Sequence, residues 1–226
     1  MKCAVILAGC GRADGSEVQE SVSVLIHCAR VGLTARCFAP DQPQADVINH
    51  ATGKPAQESR NLLVEAARIS RGEISPITQL HARDFDALIF PGGFGAAKNL
   101  CNFASKGALC DVHPEVVRVI GEFKAQAKPT GFICIAPVIA ARTLGTSGGC
   151  ELTIGSDPDT ARAIEAMGGT HVNTPTTACH VDKKHRVVST PAYMGDATPF
   201  EIFTGIGKLV EEVARMAKEP GAQRRV

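Results

Sequence analysis

Of the nine cysteines in the chain, Cys134 stands where a thiol could become reactive. The run Thr130-Gly131-Phe132-Ile133-Cys134-Ile135-Ala136-Pro137 reads as a short apolar strand that delivers the cysteine directly before an alanine-rich helix. A thiol on such a turn is lifted out of the sheet. The unpaired N–H groups at the start of the next helix can then lower its pKa and hold an oxyanion, so the chemistry allowed is attack on a carbonyl carbon. The flanks are not strict, since Ala136 stands where a G-x-C-x-G pattern wants glycine, and a buried structural cysteine is the competing reading. The other eight cysteines form no C-x-x-C pair. Their spacing excludes a paired zinc arrangement, so core or surface roles are expected for them and no metal.

Two further segments carry groups that could assist. Phe90-Pro91-Gly92-Gly93-Phe94-Gly95-Ala96-Ala97-Lys98-Asn99 has three glycines and two alanines, which let backbone N–H groups approach a ligand closely. A tight structural turn is the plain alternative. Phosphate readings fail on motif: Lys98 follows alanine rather than the glycine of a P-loop, and Gly9-Cys10-Gly11 runs on to Asp14 where a dinucleotide fingerprint needs glycine. Asp14-Gly15-Ser16-Glu17 precedes the first helix, and Glu17 is either a proton-transfer partner for Cys134 or a helix N-terminal carboxylate that complements the macrodipole.

These segments need a scaffold that brings them together. Short β-branched runs alternate with helical-period segments, the sign of βαβ units and a mainly parallel sheet. Strands are expected at Cys3 to Ala8, Thr34 to Ala39, Asp86 to Phe90 and Thr130 to Ile135, with shorter ones at Glu151 to Ile154, His171 to Val172, Ala178 to Val181 and Arg186 to Thr190. Val181 to Val187 has the form of a hairpin. The first helix should start near Asp14 to Ser16, with Ser16 and Gln19 as a capping box and Val18, Val22, Leu25, Ile26 and Ala29 on its buried face. Further helices are expected over 59–70, 114–127, after Pro137, from Pro158 to Gly168, and over 199–218. If the strands are adjacent and parallel, the Asp14 loop, the Gly92-Gly93 loop and Cys134 converge at their carboxyl ends, where open α/β sheets gather function. Asp41 to Ser75 is longer than a simple crossover requires and reads as a lobe near the site.

The length of 226 residues suits one such domain, expected over 1–218 with a flexible tail at 219–226. Lys plus Arg number 24 against 23 acidic residues, which leaves no electrostatic footprint for nucleic acid or an anionic membrane. No stretch offers the roughly 20 apolar residues of a spanning helix. The N-terminal apolar run breaks at Gly9-Cys10-Gly11, so a buried first strand explains it better than a signal sequence, and a cytoplasmic protein is expected.

Taken in order, Gly9-Cys10-Gly11, Asp14-Gly15-Ser16-Glu17, Cys37 to Asp41, Asp46 to His50, Glu58 to Asn61, Pro91 to Asn99, Cys134 to Pro137 and Thr190-Pro191-Ala192-Tyr193-Met194 resemble the ElbB/ES1 family. That family lies in the DJ-1/PfpI branch of the class I glutamine amidotransferase-like superfamily. The resemblance implies a flavodoxin-like three-layer αβα sandwich and a nucleophilic Cys134 with Glu17 beside it. It also implies an oxyanion and substrate site from Gly92, Gly93 and Ile135, to which Asn99 is added. The implied activity is glyoxalase III-like, turning glyoxal or methylglyoxal into the 2-hydroxy acid, or deglycase-like, with a small dicarbonyl substrate, no cofactor and a homodimeric state. Eukaryotic relatives of this kind are often mitochondrial, which is the alternative location if a presequence has been removed.

The sequence departs from the pattern in two ways. Ser189-Thr190-Pro191-Ala192-Tyr193 carries no histidine where a glutaminase of the superfamily has one, which leaves His171 and His180 as candidate partners and disfavours amidotransfer without a partner subunit. Arg12-Ala13 replaces the aromatic residue that usually precedes the Asp-Gly-Ser-Glu motif. The competing class is a non-catalytic, redox-sensing protein in which Cys134 is oxidised.

Overall fold

The computed structural model describes residues 1–145 and 148–219. β1 (Lys2–Ile6), α1 (Val18–Arg30) and β2 (Thr34–Ala39) form the first unit. A lobe follows with the short pair β3 (Ile48–Asn49) and β4 (Lys54–Pro55) and the helix α2 (Leu62–Ala66). β5 (Ile74–Pro76) returns to the sheet edge, and β6 (Ala87–Phe90) enters its centre. Then come α3 (Phe103–Lys106), α4 (Pro114–Ala125), β7 (Thr130–Ile133) and α5 (Pro137–Leu144). β8 (Glu151–Leu152), α6 (Pro158–Ala166), β9 (Thr170–His171), β10 (His180–Asp182), β11 (Val187–Thr190) and α7 (Pro199–Lys218) complete the order.

Seven strands make one sheet in the order β10-β11-β7-β6-β1-β2-β5. Every neighbouring pair is parallel except β10 with β11, the hairpin read from the sequence. A parallel sheet must be covered on both faces, and its central strands are correspondingly apolar throughout. Along β1 and just beyond it the side chains alternate: Cys3, Val5 and Leu7 join the core beneath α1 and α7, while Ala4 and Ile6 join the core beneath α4 and α5. The result is the mainly parallel sheet that the alternation of segments predicts, in the three-layer αβα sandwich that the resemblance implies.

The bounds of β2 and α7 agree with the sequence reading. α7 opens on a full capping box, in which Thr198 accepts from the Glu201 N–H and the Glu201 carboxylate accepts from the Thr198 N–H. The other strand and helix ends shift by at most two residues, and three expectations change in ways that bear on the site or its surroundings. β7 ends at Ile133 rather than Ile135, because Cys134 turns into the left-handed region at φ 62°. The helix expected over 59–70 contracts to Leu62–Ala66, and β5, only three residues long, carries too short a period to be read from sequence.

The first helix is the third correction. Ser16 does not cap it: its hydroxyl accepts from the Ala8 N–H at 2.8 Å and ties the loop to the end of β1. Glu17 is the N-cap instead, its carboxylate accepting from the Glu20 N–H at 2.7 Å. The face expected to be buried is turned outward, with Val18, Val22 and Ile26 exposed, and the buried face is Glu20, Val24, His27 and Cys28. Of the expected tail, only Glu219 lies among the described residues.

Candidate active site

β1, β6 and β7 lie side by side and parallel, so the loops at their carboxyl ends meet. From β7 the chain enters the turn at Cys134, whose N–H donates to the Thr190 carbonyl at the end of β11 (3.0 Å). A left-handed non-glycine residue costs on the order of 1–3 kcal/mol and persists only where its surroundings hold it. Here it projects the thiol off the sheet. Cys134 is 7% exposed and lines a cavity of about 750 Å³.

The carboxyl group at the thiol is Glu20, not Glu17. Glu20 is fully buried, hydrogen-bonds the Cys134 side chain, and accepts from the Gly92 N–H at 2.9 Å and the Tyr193 N–H at 3.4 Å. Burial, reinforced by the nearby charge of Glu17, pushes its pKa up to about 8. Glu17 is three residues earlier, on the helix cap; it lines the same cavity and burial raises its pKa as well. Sequence reasoning missed Glu20 because a glutamate among helix residues reads as solvent-facing. The signal available was its place on the Glu20, Val24, Cys28 face, but the more apolar face of Val18, Val22 and Ile26 masked it.

Burial first, and then the charge of Glu20, push the Cys134 thiol well above its ordinary pKa, while hydrogen bonds from the Gly93 and Ile135 N–H groups pull it down. The hydrogen bond that the thiol makes to Glu20 raises it further; the charge contribution from Glu20 is lost once that carboxyl is protonated. Gly93 and Ile135 thus direct their N–H groups at the sulfur, next to the oxyanion role that the resemblance implies for them. Gly92 does not: its N–H is spent on Glu20. Its lack of a side chain is still required, because a Cβ there would collide with Cys134 Cβ and lie 2.7 Å from Glu20 Oε2. Gly93, at φ 92°, also passes too close to the Glu17 and Gly15 backbone to carry one.

Asn99 is not at the site. It is buried, accepts from the Ala45 N–H (2.8 Å) and donates to the Asp14 carbonyl (3.1 Å), so it clamps the lobe to the Asp14 loop. The Lys98 ammonium does the same, bonding the Ala13 carbonyl and the Asp46 carboxylate. No residue of the lobe lines the cavity among the described residues. His171 and His180 are also elsewhere: His180 pairs with Glu151 at 2.9 Å, and the ring of His171 sits at the Ile154 N–H. The cavity is walled instead by Phe94, Phe103, Tyr193 and Met194, with Arg12, Asp157 and Asp196 as its other charged lining groups. No cluster suited to a metal ion occurs among the described residues.

The arrangement is a thiol paired with a carboxyl, two N–H groups converging on the sulfur, and no imidazole. It can add the thiol to a carbonyl while the carboxyl relays its proton.

No family model matches the chain. Among curated proteins it is similar to the mitochondrial ES1 protein homolog of Rattus norvegicus, 45% identical over 95% of this chain and 84% of that protein. The same identity and coverage of this chain are found with the mitochondrial glutamine amidotransferase-like class 1 domain-containing protein 3 of Homo sapiens, of which 83% is covered. Among solved structures, an isoprenoid biosynthesis protein with an amidotransferase-like domain from Ehrlichia chaffeensis superposes with a TM-score of 0.91 at 36% identity, covering 96% of this chain and all of that one. Drosophila melanogaster DJ-1β, 16% identical with a TM-score of 0.52 over 96% of this chain and 95% of its own, shares the fold. The DJ-1/PfpI architecture and identities of this size along nearly the whole chain place it: the protein belongs to the ElbB/ES1 family of the glutamine amidotransferase-like superfamily.

Proposed function

We propose that the protein is a cysteine-dependent, cofactor-free enzyme that converts small dicarbonyls such as glyoxal or methylglyoxal into 2-hydroxy acids, with related deglycase-like turnover. The observation that carries this reading is the contact between Cys134 and a Glu20 carboxyl that keeps its proton up to about pH 8. Glu20 replaces Glu17 as the proton-transfer group.

The Cys134 thiol adds to the aldehyde carbon, forming the C–S bond as the carbonyl electron pair moves to oxygen and the S–H proton passes to the unprotonated oxygen of the Glu20 carboxyl. The Gly93 and Ile135 N–H groups stabilise that oxygen, and the Glu20 O–H protonates it. Glu20, neutral again after that relay, takes the proton from the same carbon on one oxygen and passes its own to the neighbouring carbonyl oxygen from the other. Glu20 then returns that proton to the neighbouring carbon of the enediol and takes up the hydroxyl proton from the sulfur-bearing carbon, which leaves a thioester of the 2-hydroxy acid. Water cleaves the thioester and returns the thiol. One water is consumed overall, and oxidation of one carbon is balanced by reduction of the other, so no external oxidant is needed.

The test is turnover of methylglyoxal by wild type and Cys134→Ser, followed by formation of the hydroxy acid. A loss of at least ~10³-fold in kcat/KM is expected, because a hydroxyl without a strong base is a poor nucleophile here. Full activity in the variant would sink the mechanism. The same N–H groups and the Glu20 O–H also suit an oxidised Cys134. No turnover by wild type, together with peroxide oxidation confined to Cys134, would favour the redox-sensing alternative. We propose the cytoplasm as the compartment; the relatives named mitochondrial supply the alternative, and cell fractionation distinguishes the two.

A further inference from the structure

The cavity over Cys134 is much larger than a two- or three-carbon dicarbonyl, since pockets of several hundred Å³ ordinarily enclose drug-sized ligands. Its charges are unevenly committed. Asp157 caps α6 by accepting from the Thr160 N–H at 2.8 Å, and Glu17 caps α1. Asp196 is exposed at the rim. Arg12 is the one basic lining residue among the described residues. The Arg12 carbonyl accepts from the Phe94 N–H at 2.7 Å, which anchors its backbone to the glycine loop beside Cys134. Its guanidinium makes no hydrogen bond or ion pair among the described residues, and the Glu17 charge is felt only at longer range. Arg12 is exposed at the cavity, and an unpaired arginine there is a fork for an oxyanion, because the planar guanidinium matches carboxylate and phosphate oxygens bidentately.

We infer that Arg12 is a specificity-determining residue, and that the substrate carries an anionic oxygen group, carboxylate or phosphate, on the far side of the carbonyl attacked by Cys134. This rests on Cys134 as a carbonyl-directed nucleophile, and it deepens that reading by naming a substrate class larger than methylglyoxal. Its wall of Phe94, Phe103 and Tyr193 accommodates the carbon chain between the two ends.

The experiment compares alkylation of Cys134 by iodoacetate and by its neutral analogue iodoacetamide, quantified on the Cys134 peptide by mass spectrometry. In both, the S–C bond forms as the C–I bond breaks and iodide leaves, so the rate ratio reports anion selection without requiring turnover. The ratio in wild type is expected to fall by about tenfold in Arg12→Gln and to be largely kept in Arg12→Lys, which retains the charge but not the fork. An unchanged ratio in Arg12→Gln, with Cys134 labelled, overturns the Arg12 assignment and leaves the nucleophile standing. Failure of both reagents to label wild-type Cys134 overturns both. A shifted ratio with no hydroxy acid formed from methylglyoxal supports Arg12 and counts against the small-dicarbonyl substrate alone.

Discussion

Below about pH 8 Glu20 holds a proton, because the interior offers no water to stabilise its carboxylate and Glu17 adds a like charge nearby. The unfolded chain would release that proton near 4.5. Between these values the folded chain binds more protons than the unfolded one, so stability falls as pH rises through the window and levels off above about 8. Glu20→Gln removes the group. Thermal melts of the variant across that window are expected to be flatter than those of wild type, and equal slopes would contradict a protonated Glu20. In turnover the same variant is expected to lose about 10²–10⁴-fold in kcat, the range of a lost acid–base group. The alkaline limb near pH 8 in the wild-type profile should vanish from the residual rate. The presence of a carboxylate partner was legible in the acidic residues before α1, but its identity was not. Glu17 and Glu20 are one helical turn apart, and only the rotation of the helix decides which faces the sheet.

At the level of elements, the site is two turns pressed together. The β7 turn lifts Cys134 and the β6 turn passes Gly92 and Gly93 beneath it, with little room between them. Gly92→Ala is expected to cost about 1–3 kcal/mol through forced shifts of Cys134 and Glu20. It should also abolish dicarbonyl turnover while circular dichroism stays native-like; unimpaired turnover would mean that the turns have slack which the distances deny. The glycine-rich character of this loop was plain from sequence, and so was its nearness to Cys134 given parallel strands. The division of labour within it was not: Gly92 holds Glu20 while Gly93 faces the sulfur, a consequence of backbone direction rather than residue type.

For the whole molecule, the lobe between β2 and β5 is held by polar contacts behind the site rather than over it. Asn99→Ala leaves the Ala45 N–H and the Asp14 carbonyl without their partner. A loss of about 1–3 kcal/mol in unfolding free energy is expected by denaturant titration. Cys134 alkylation by iodoacetamide should stay close to wild type; its collapse would return Asn99 to the site. In the sequence, Asn99 reads as a ligand group because it follows the glycine loop.

Residue order alone determined the alternation of strands and helices, the cysteine between strand and helix and the glycine loop, since these depend on local period and neighbouring residue types. Tertiary structure decided which helix face is buried, which glutamate meets the thiol and where the lobe docks. The reason is physical. The outward Val18, Val22 and Ile26 stripe is more apolar than the inward Glu20, Val24 and Cys28 one, so local hydrophobicity points the wrong way. Packing against α7, with the Gly92 and Tyr193 N–H groups bonding a buried carboxyl, compensates for placing a glutamate in the core.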